Sequence, residues 1–131
     1  MLLPLIMQAT AQVTTPPPMP ADWAALAPLP YTAPPQVTRA MAQFVADEIA
    51  AKRCNLTRPA DGHYIVRVDV ATLVGGDGTV RKTVPRAIDC PTVEQYSAGL
   101  VIGFARANLP PHGNASGDHW YRATIIYDWG K

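Results

Sequence analysis

The residues of this chain that could carry chemistry are two cysteines and three histidines. Cys54 and Cys90 do not form a C-x-x-C pair, and a zinc site would need two further ligands at suitable spacing. His63, His112 and His119 are scattered, and no periodicity brings them to the cysteines. A catalytic Cys–His dyad stays an open alternative that no pattern favours. We therefore expect no catalytic residue, no metal and no cofactor.

The two cysteines are more simply explained by one disulfide. This bond would join the end of the first predicted helix, at Cys54, to the start of the second, at Cys90. Closing the loop should stabilise the fold by roughly 4 kcal/mol on the chain-entropy model, and an oxidising compartment would permit the bond. A small secreted enzyme that uses Cys or His is a rival hypothesis, which requires a free thiol.

The other polar groups show no catalytic or ligand-binding pattern. Asp47 and Glu48 are adjacent carboxylates, which we interpret as a solvated helix face rather than an acid–base pair. The glycines of residues 75–78 lack the spacing of a phosphate-binding loop. A local basic cluster is interpreted as a solvated strand face: Arg81, Lys82 and Arg86. A net charge of +1 gives no electrostatic case for nucleic acid or an anionic membrane.

Residues 1–11 look like the end of a signal peptide. An apolar run precedes Ala9-Thr10-Ala11, which has the A-x-A form of a cleavage site. The run is far shorter than the roughly 20 apolar residues of a transmembrane helix, so we expect export and no membrane span in this chain. Residues 12–35 are predicted to be a proline-rich, extended linker. Its larger apolar side chains are expected to make only loose local contacts: Trp23, Leu26, Leu29 and Tyr31.

Residues 36–131 are predicted to form one α+β domain. Apolar spacing predicts a helix over residues 36–53, and alternation from Tyr64 to Ala71 predicts a strand. An Asp77-Gly78 turn leads to a second strand, which Pro85 should place at a sheet edge. A second helix follows Cys90-Pro91-Thr92, and a final strand covers residues 119–127. We expect a three-stranded antiparallel sheet in the order two-one-three, with both helices on one face.

This order of elements resembles the C-terminal domain of the TonB and TolA family. The matching stretches are the alternating strand that begins at Tyr64, the Asp77-Gly78-Thr79-Val80 turn and the closing strand from Tyr121 to Tyr127. The helix that starts Cys90-Pro91-Thr92 and its Leu109-Pro110-Pro111 exit also match. The early helix and paired cysteines look more like TolA, whereas the hairpin and Pro-Pro exit look like TonB.

The resemblance implies a periplasmic protein-binding domain in energy-dependent transport. Domains of this family grip a short segment of an outer-membrane receptor or envelope protein, which adds to the edge of the sheet. The expected binding strand consists of Trp120, Tyr121, Arg122, Ala123, Thr124, Ile125, Ile126 and Tyr127. Energised members also carry a membrane anchor and a long spacer. We therefore expect either that such residues lie upstream of Met1 or that this chain is a relative that only binds.

Two alternatives concern the same edge. A second copy of the domain could cover the last strand, which would give a homodimer. The chain could also be a structural or inhibitory periplasmic protein that shares the scaffold without energy transduction. One observation separates these hypotheses, since coverage of the last strand by residues 13–35 of its own chain would argue against recruitment at that edge.

Overall fold

A computed structural model describes Pro4 and residues 17–111 and 117–130. After a short 3-10 turn at Trp23–Ala25, the elements are β1 (Ala27–Pro28), α1 (Arg39–Ala50), β2 (Tyr64–Val74), β3 (Val80–Pro85), α2 (Pro91–Ala105) and β4 (His119–Trp129). The fold is therefore α+β, as predicted. Apart from Pro4, the signal-peptide-like residues 1–11 lie outside the described residues.

The sheet is mixed and has four strands in the order β1-β4-β2-β3. The three strands that the sequence predicts are antiparallel and lie in the predicted order, with β3 and its Pro85 at one edge. The prediction of a three-stranded antiparallel sheet is wrong in one respect, because β1 adds as a parallel strand outside β4. Pro28 is tolerated in β1 because the N–H of the next residue, Leu29, donates to β4. Backbone groups alternate along a strand, so an N–H at position 28 would point away from β4, and its absence removes no bond of the sheet.

Both helices pack on one face of the sheet. β2 contributes Val66, Val68 and Val70 to the core, and β4 contributes Ala123, Ile125 and Tyr127, which lie directly opposite them in the ladder. The helices add Val45 from α1 and Val93 and Val101 from α2 to the same buried cluster. This is the period-two pattern read from the sequence, with alternate residues of each strand turned inwards.

The boundaries of α1 are tighter than the predicted range of 36–53. The Thr38 hydroxyl accepts the Met41 N–H at 3.3 Å, and this N-cap starts the helix at Arg39. Lys52 adopts a left-handed backbone with φ of 60°, which stops the helix at Ala50. Lys52 therefore follows the helix instead of lying in its last turn.

The start of α2 is capped by a residue that the sequence pattern did not single out. Pro91 is the first helical residue, as its type predicts. Cys90 occupies the N-cap position, and its side chain makes no capping hydrogen bond. The Glu94 carboxylate instead accepts the N–H groups of Ile88 and Cys90, at 3.1 and 3.0 Å.

The predicted disulfide between Cys54 and Cys90 is present, with Cα atoms 4.2 Å apart. Beside it lies Glu48, which is buried rather than solvated. Its carboxylate accepts from Arg53 Nη1 at 2.9 Å and from the Thr92 hydroxyl at 2.8 Å. The end of α1 and the start of α2 are thus joined by one covalent bond and one buried polar contact.

The described part of the proline-rich linker, residues 17–35, is docked on the domain, and the expectation of loose contacts is wrong. We call this segment the leader. Leu26 and Leu29 are 4% and 6% exposed. On the sheet face that points away from the helices, Arg122 donates from Nη1 to the Trp23 carbonyl oxygen at 3.2 Å. Ala71 of β2 is buried on the same face. Burial of leucine side chains stabilises the leader's position, because each removes apolar surface from water.

A buried hydroxyl pair links α2 to β4 and should contribute to stability. The Ser97 hydroxyl lies 2.8 Å from the Tyr127 hydroxyl and 2.7 Å from the Val93 carbonyl oxygen. Burial raises the pKa of Tyr127 to about 12. Ser97→Ala would leave a buried phenol without its partner, so we expect a loss of about 1–3 kcal/mol in the free energy of unfolding.

Urea denaturation of four proteins tests this: wild type, Ser97→Ala, Tyr127→Phe and the double variant. Because Phe needs no partner, the double variant should lose less stability than the sum of the single changes. Strict additivity of the two single changes would contradict the coupling.

Two glycines of α2 are not used for close packing. Gly99 and Gly103 are exposed, and apart from the adjacent residues and backbone of the helix itself no described atom lies within 4 Å of the position that a Cβ would occupy at either site. Gly99→Ala should therefore raise the free energy of unfolding by up to about 1 kcal/mol, because alanine loses less backbone entropy in a helix. Thermal unfolding measures the change, and a destabilised variant would show that this surface is covered.

Candidate partner-binding edge

All eight residues of the predicted binding strand lie in β4. Their side chains alternate between the two faces of the sheet. Ala123, Ile125 and Tyr127 are buried against the helices, whereas Thr124 and Ile126 are exposed on the other face. Ile126 is one of the few large apolar side chains of the described chain that is half exposed, at 50%. Of these five residues, only Thr124 and Ile126 can present their side chains to a partner without unfolding the core.

One hydrogen bond shows which way the β4 backbone points. The Leu29 N–H donates to the Arg122 carbonyl oxygen at 2.9 Å, so Arg122 turns its backbone groups outwards, away from β2. Because backbone groups alternate along a strand, Thr124, Ile126 and Asp128 turn theirs to the same outer side. The outer edge of β4 is therefore a row of donors and acceptors at even-numbered positions.

The leader occupies the first half of this edge. β1 pairs Ala27 with Tyr121 and Pro28 with Arg122. The Trp120 indole N–H also donates to the Pro17 carbonyl oxygen at 2.8 Å. Three of the predicted binding residues, Trp120, Tyr121 and Arg122, thus already contact their own chain. Because the last strand is covered here by residues of its own chain, recruitment of a partner at residues 120–122 is disfavoured.

The second half of the edge is different. No strand among the described residues pairs with the outer side of β4 beyond Arg122. We call residues 124–129 the open half-edge. It borders a groove of about 510 Å³ that runs between Ile126 and Asp128 on one side and Thr38, Ala42 and Gln43 of the α1 region on the other. This volume lies within the range of ligand-binding clefts, roughly 300–1,000 Å³.

The far end of the open half-edge carries a charged contact. His63 Nε2 lies beside the Asp128 carboxylate, and both side chains are partly exposed. The hydrogen bond and charge of Asp128 raise the pKa of His63 above its usual 6.5. Next to it, the rings of Tyr64 and Trp129 stack with centroids 4.9 Å apart. These contacts hold the last residues of β4 against the start of β2.

The remaining candidate residues do not assemble into a site. The disulfide uses both cysteines, so the rival enzyme hypothesis loses its thiol nucleophile. His112 lies outside the described residues, and within them no three His, Cys, Asp or Glu side chains are grouped to hold a metal ion. No helix of the described chain is both long enough and apolar enough to cross a bilayer.

One cluster was missed by sequence reasoning. Asp69 is nearly buried on β2, where it meets Arg67 and also Arg86, which was interpreted as part of a solvated face together with Arg81 and Lys82. The available indication was a pair of polar residues, Arg67 and Asp69, on one face of an otherwise apolar strand. The packing of the leader, which the sequence did not predict, turns that face into a pocket.

Comparison of the chain with protein-family models, with curated proteins and with solved structures finds no match. The resemblance to the TonB and TolA family therefore rests on the motifs and the element order alone.

The His63–Asp128 contact makes a pH dependence testable. Since the pKa of His63 is raised in the folded state, the contact stabilises the fold fully below about pH 6.5, the unfolded value, and this contribution is lost as the pH rises through the folded pKa. An NMR titration should give a pKa above 6.5 for His63. Asp128→Asn should return it towards 6.5, whereas Asp61→Asn, which removes a weaker influence, should lower it less. An unchanged pKa in Asp128→Asn would contradict the assignment.

Proposed function

We propose that this chain is a protein-binding module of the cell envelope, which takes up an extended segment of a partner at the open half-edge of β4. The observation that carries the proposal is the row of outward backbone groups at Thr124, Ile126 and Asp128 beside the α1 groove. A strand that adds to an edge gains main-chain hydrogen bonds, whatever its sequence, and alternate side chains provide selectivity.

The length of the open half-edge sets the size of the partner segment. Residues 124–129 span about 20 Å at roughly 3.3 Å per residue. A partner segment of about four to six residues would fill this length. Every second side chain would enter the groove beside Thr38 and Ala42, and the others would lie on the face that carries Ile126.

The TonB- and TolA-like role is the specific form of the proposal. In that form the partner is a periplasmic segment of an outer-membrane receptor or of another envelope protein, and binding serves energy-dependent transport. The Cys54–Cys90 disulfide supports an exported location, because such bonds persist in oxidising compartments such as the periplasm.

A second candidate function is supported by the leader strand. Because β1 already covers Tyr121 and Arg122, the domain could be a closed structural or inhibitory protein of the envelope. A self-covered edge is a common protection against unwanted pairing. This hypothesis predicts that no extended segment binds the open half-edge.

Proline substitution at the open half-edge tests the proposal. Ile126→Pro removes an outward N–H without removing a bond to β2, so the domain should stay folded while binding falls at least about tenfold. Ile126→Ala is the matched control, since it trims the side chain but keeps the N–H. Thr124 is less suitable because its hydroxyl donates to Asp69 at 2.7 Å.

The measurement is an NMR titration of the intact chain with synthetic periplasmic segments of receptors and envelope proteins from the same organism. The expected result is saturable amide shifts at residues 124–128, with an affinity that Ile126→Pro lowers at least about tenfold and Ile126→Ala retains. Shifts confined to α1, or no shifts with any segment, would overturn the proposal. Light scattering of the free protein identifies a homodimer through the same edge, which Ile126→Pro should convert to a monomer.

A further inference from the structure

A pocket of about 470 Å³ lies on the sheet face opposite the helices, apart from the open half-edge. Its walls come from four separate segments. The leader supplies Trp23, β2 supplies Arg67 and Asp69, the segment after β3 supplies Arg86, and β4 supplies Arg122. We call it the arginine pocket.

Asp69 is the buried carboxylate of the arginine pocket and holds neighbouring side chains in place. The carboxylate accepts from the Thr124 hydroxyl at 2.7 Å and from Arg67 Nε at 3.2 Å. Arg86 Nη1 lies 4.0 Å from the second carboxylate oxygen, and the Arg86 backbone N–H donates to the Asp69 carbonyl oxygen at 2.8 Å. Asp69 is only 9% exposed, so a fixed internal charge orders two of the three guanidinium groups.

The lining carries more positive than negative charge. Three guanidinium groups and one carboxylate line the pocket. The nearest acid along the leader is Asp22, whose carboxylate accepts the Ala24 N–H at 3.0 Å. Even if Asp22 is counted, one positive charge remains in excess. Arg67 and Arg86 each keep 57% of the side chain exposed, so both side chains are accessible to a ligand from solvent.

Within the described residues, these guanidinium groups offer more N–H donors than their hydrogen bonds use. A guanidinium group offers five N–H donors. In the described part of the chain, Arg67 gives one to Asp69 and Arg122 gives one to the Trp23 carbonyl oxygen. The planar fork of arginine matches the two oxygens of a carboxylate. A monoanion would neutralise the excess charge and engage these donors.

The rest of the wall is apolar. Trp23 presents its ring to Arg86, whose Cζ lies 5.8 Å from the ring centroid, and Ala24, Ala87 and Ile88 complete the lining. A ligand in this space would therefore place an anionic head near the guanidinium groups and an apolar or aromatic body against Trp23. A bare inorganic ion would leave that part of the pocket unfilled.

From this arrangement we propose that the arginine pocket binds a small organic carboxylate with a compact apolar or aromatic body. The site is distinct from the open half-edge and does not depend on the strand-addition proposal. It consists of Arg67, Arg86 and Arg122 as anion donors and Trp23 as the apolar wall.

The test uses the intact chain and benzoate as the probe, with inorganic phosphate at equal ionic strength as the comparison. Calorimetry gives the affinity, and NMR follows the Trp23 indole N–H and the arginine Nε–H resonances. We expect saturable benzoate binding that shifts Trp23 and is tighter than phosphate binding. Arg86→Gln should weaken it by about tenfold or more, because a charge-assisted contact is lost.

The matched control is Arg81→Gln, which removes an equal charge from the hairpin, where Arg81 pairs with Asp77. It should change benzoate affinity by less than about twofold. Arg67→Gln repeats the test from the opposite wall, should Arg86→Gln unfold the protein. The proposal is overturned if neither anion saturates, if phosphate binds as tightly as benzoate, or if Arg81→Gln weakens binding as much as the pocket variants.

Discussion

The antiparallel ladder between β2 and β4 is the interaction on which the rest of the structure depends. It runs from Tyr64 opposite Trp129 to Val74 opposite His119 without a register shift. This register places the valines of β2 against the alanine, isoleucine and tyrosine of β4 under the helices. On the other face it brings Asp69 opposite Thr124. A slip of one residue would exchange the two faces, which would bury Asp69 under the helices and expose the valines.

The two outer strands of the antiparallel part of the sheet, β3 and β4, are protected in different ways. β3 ends at Pro85, which pairs with Val70 and offers no N–H. β4 is too long and too rich in β-forming residues to be left unprotected, and the leader covers its first half. The leader also covers part of the sheet face opposite the helices. One proline-rich segment therefore protects both the edge of β4 and part of that face. Burial of Leu26 and Leu29 supplies the apolar contacts that hold it.

Local patterns predicted the three main strands and both helices, because each depends on residues close in sequence. Alternation from Tyr64 to Ala71, the Asp77-Gly78 turn and Pro91 at a helix start are examples. The docked leader could not be predicted in this way, because Leu26 and Leu29 follow no period, and the strand between them, Ala27–Pro28, pairs with residues nearly a hundred positions away. The division of β4 into a covered and an open half depends on that docking. The same is true of the arginine pocket, whose residues come from four segments.

The disulfide has a mechanical consequence. Residues 55–89, which include β2 and β3, lie inside the loop that Cys54 and Cys90 close. Tension applied to the two ends of the chain would pass from Cys54 to Cys90 through the sulfur atoms, and the hairpin could not be drawn out lengthwise. The two-residue pairing of β1 would yield before the long β2–β4 ladder. A pull on the leader would therefore separate β1 from β4, while β2 and β3, inside the loop that the disulfide closes, would not be extended.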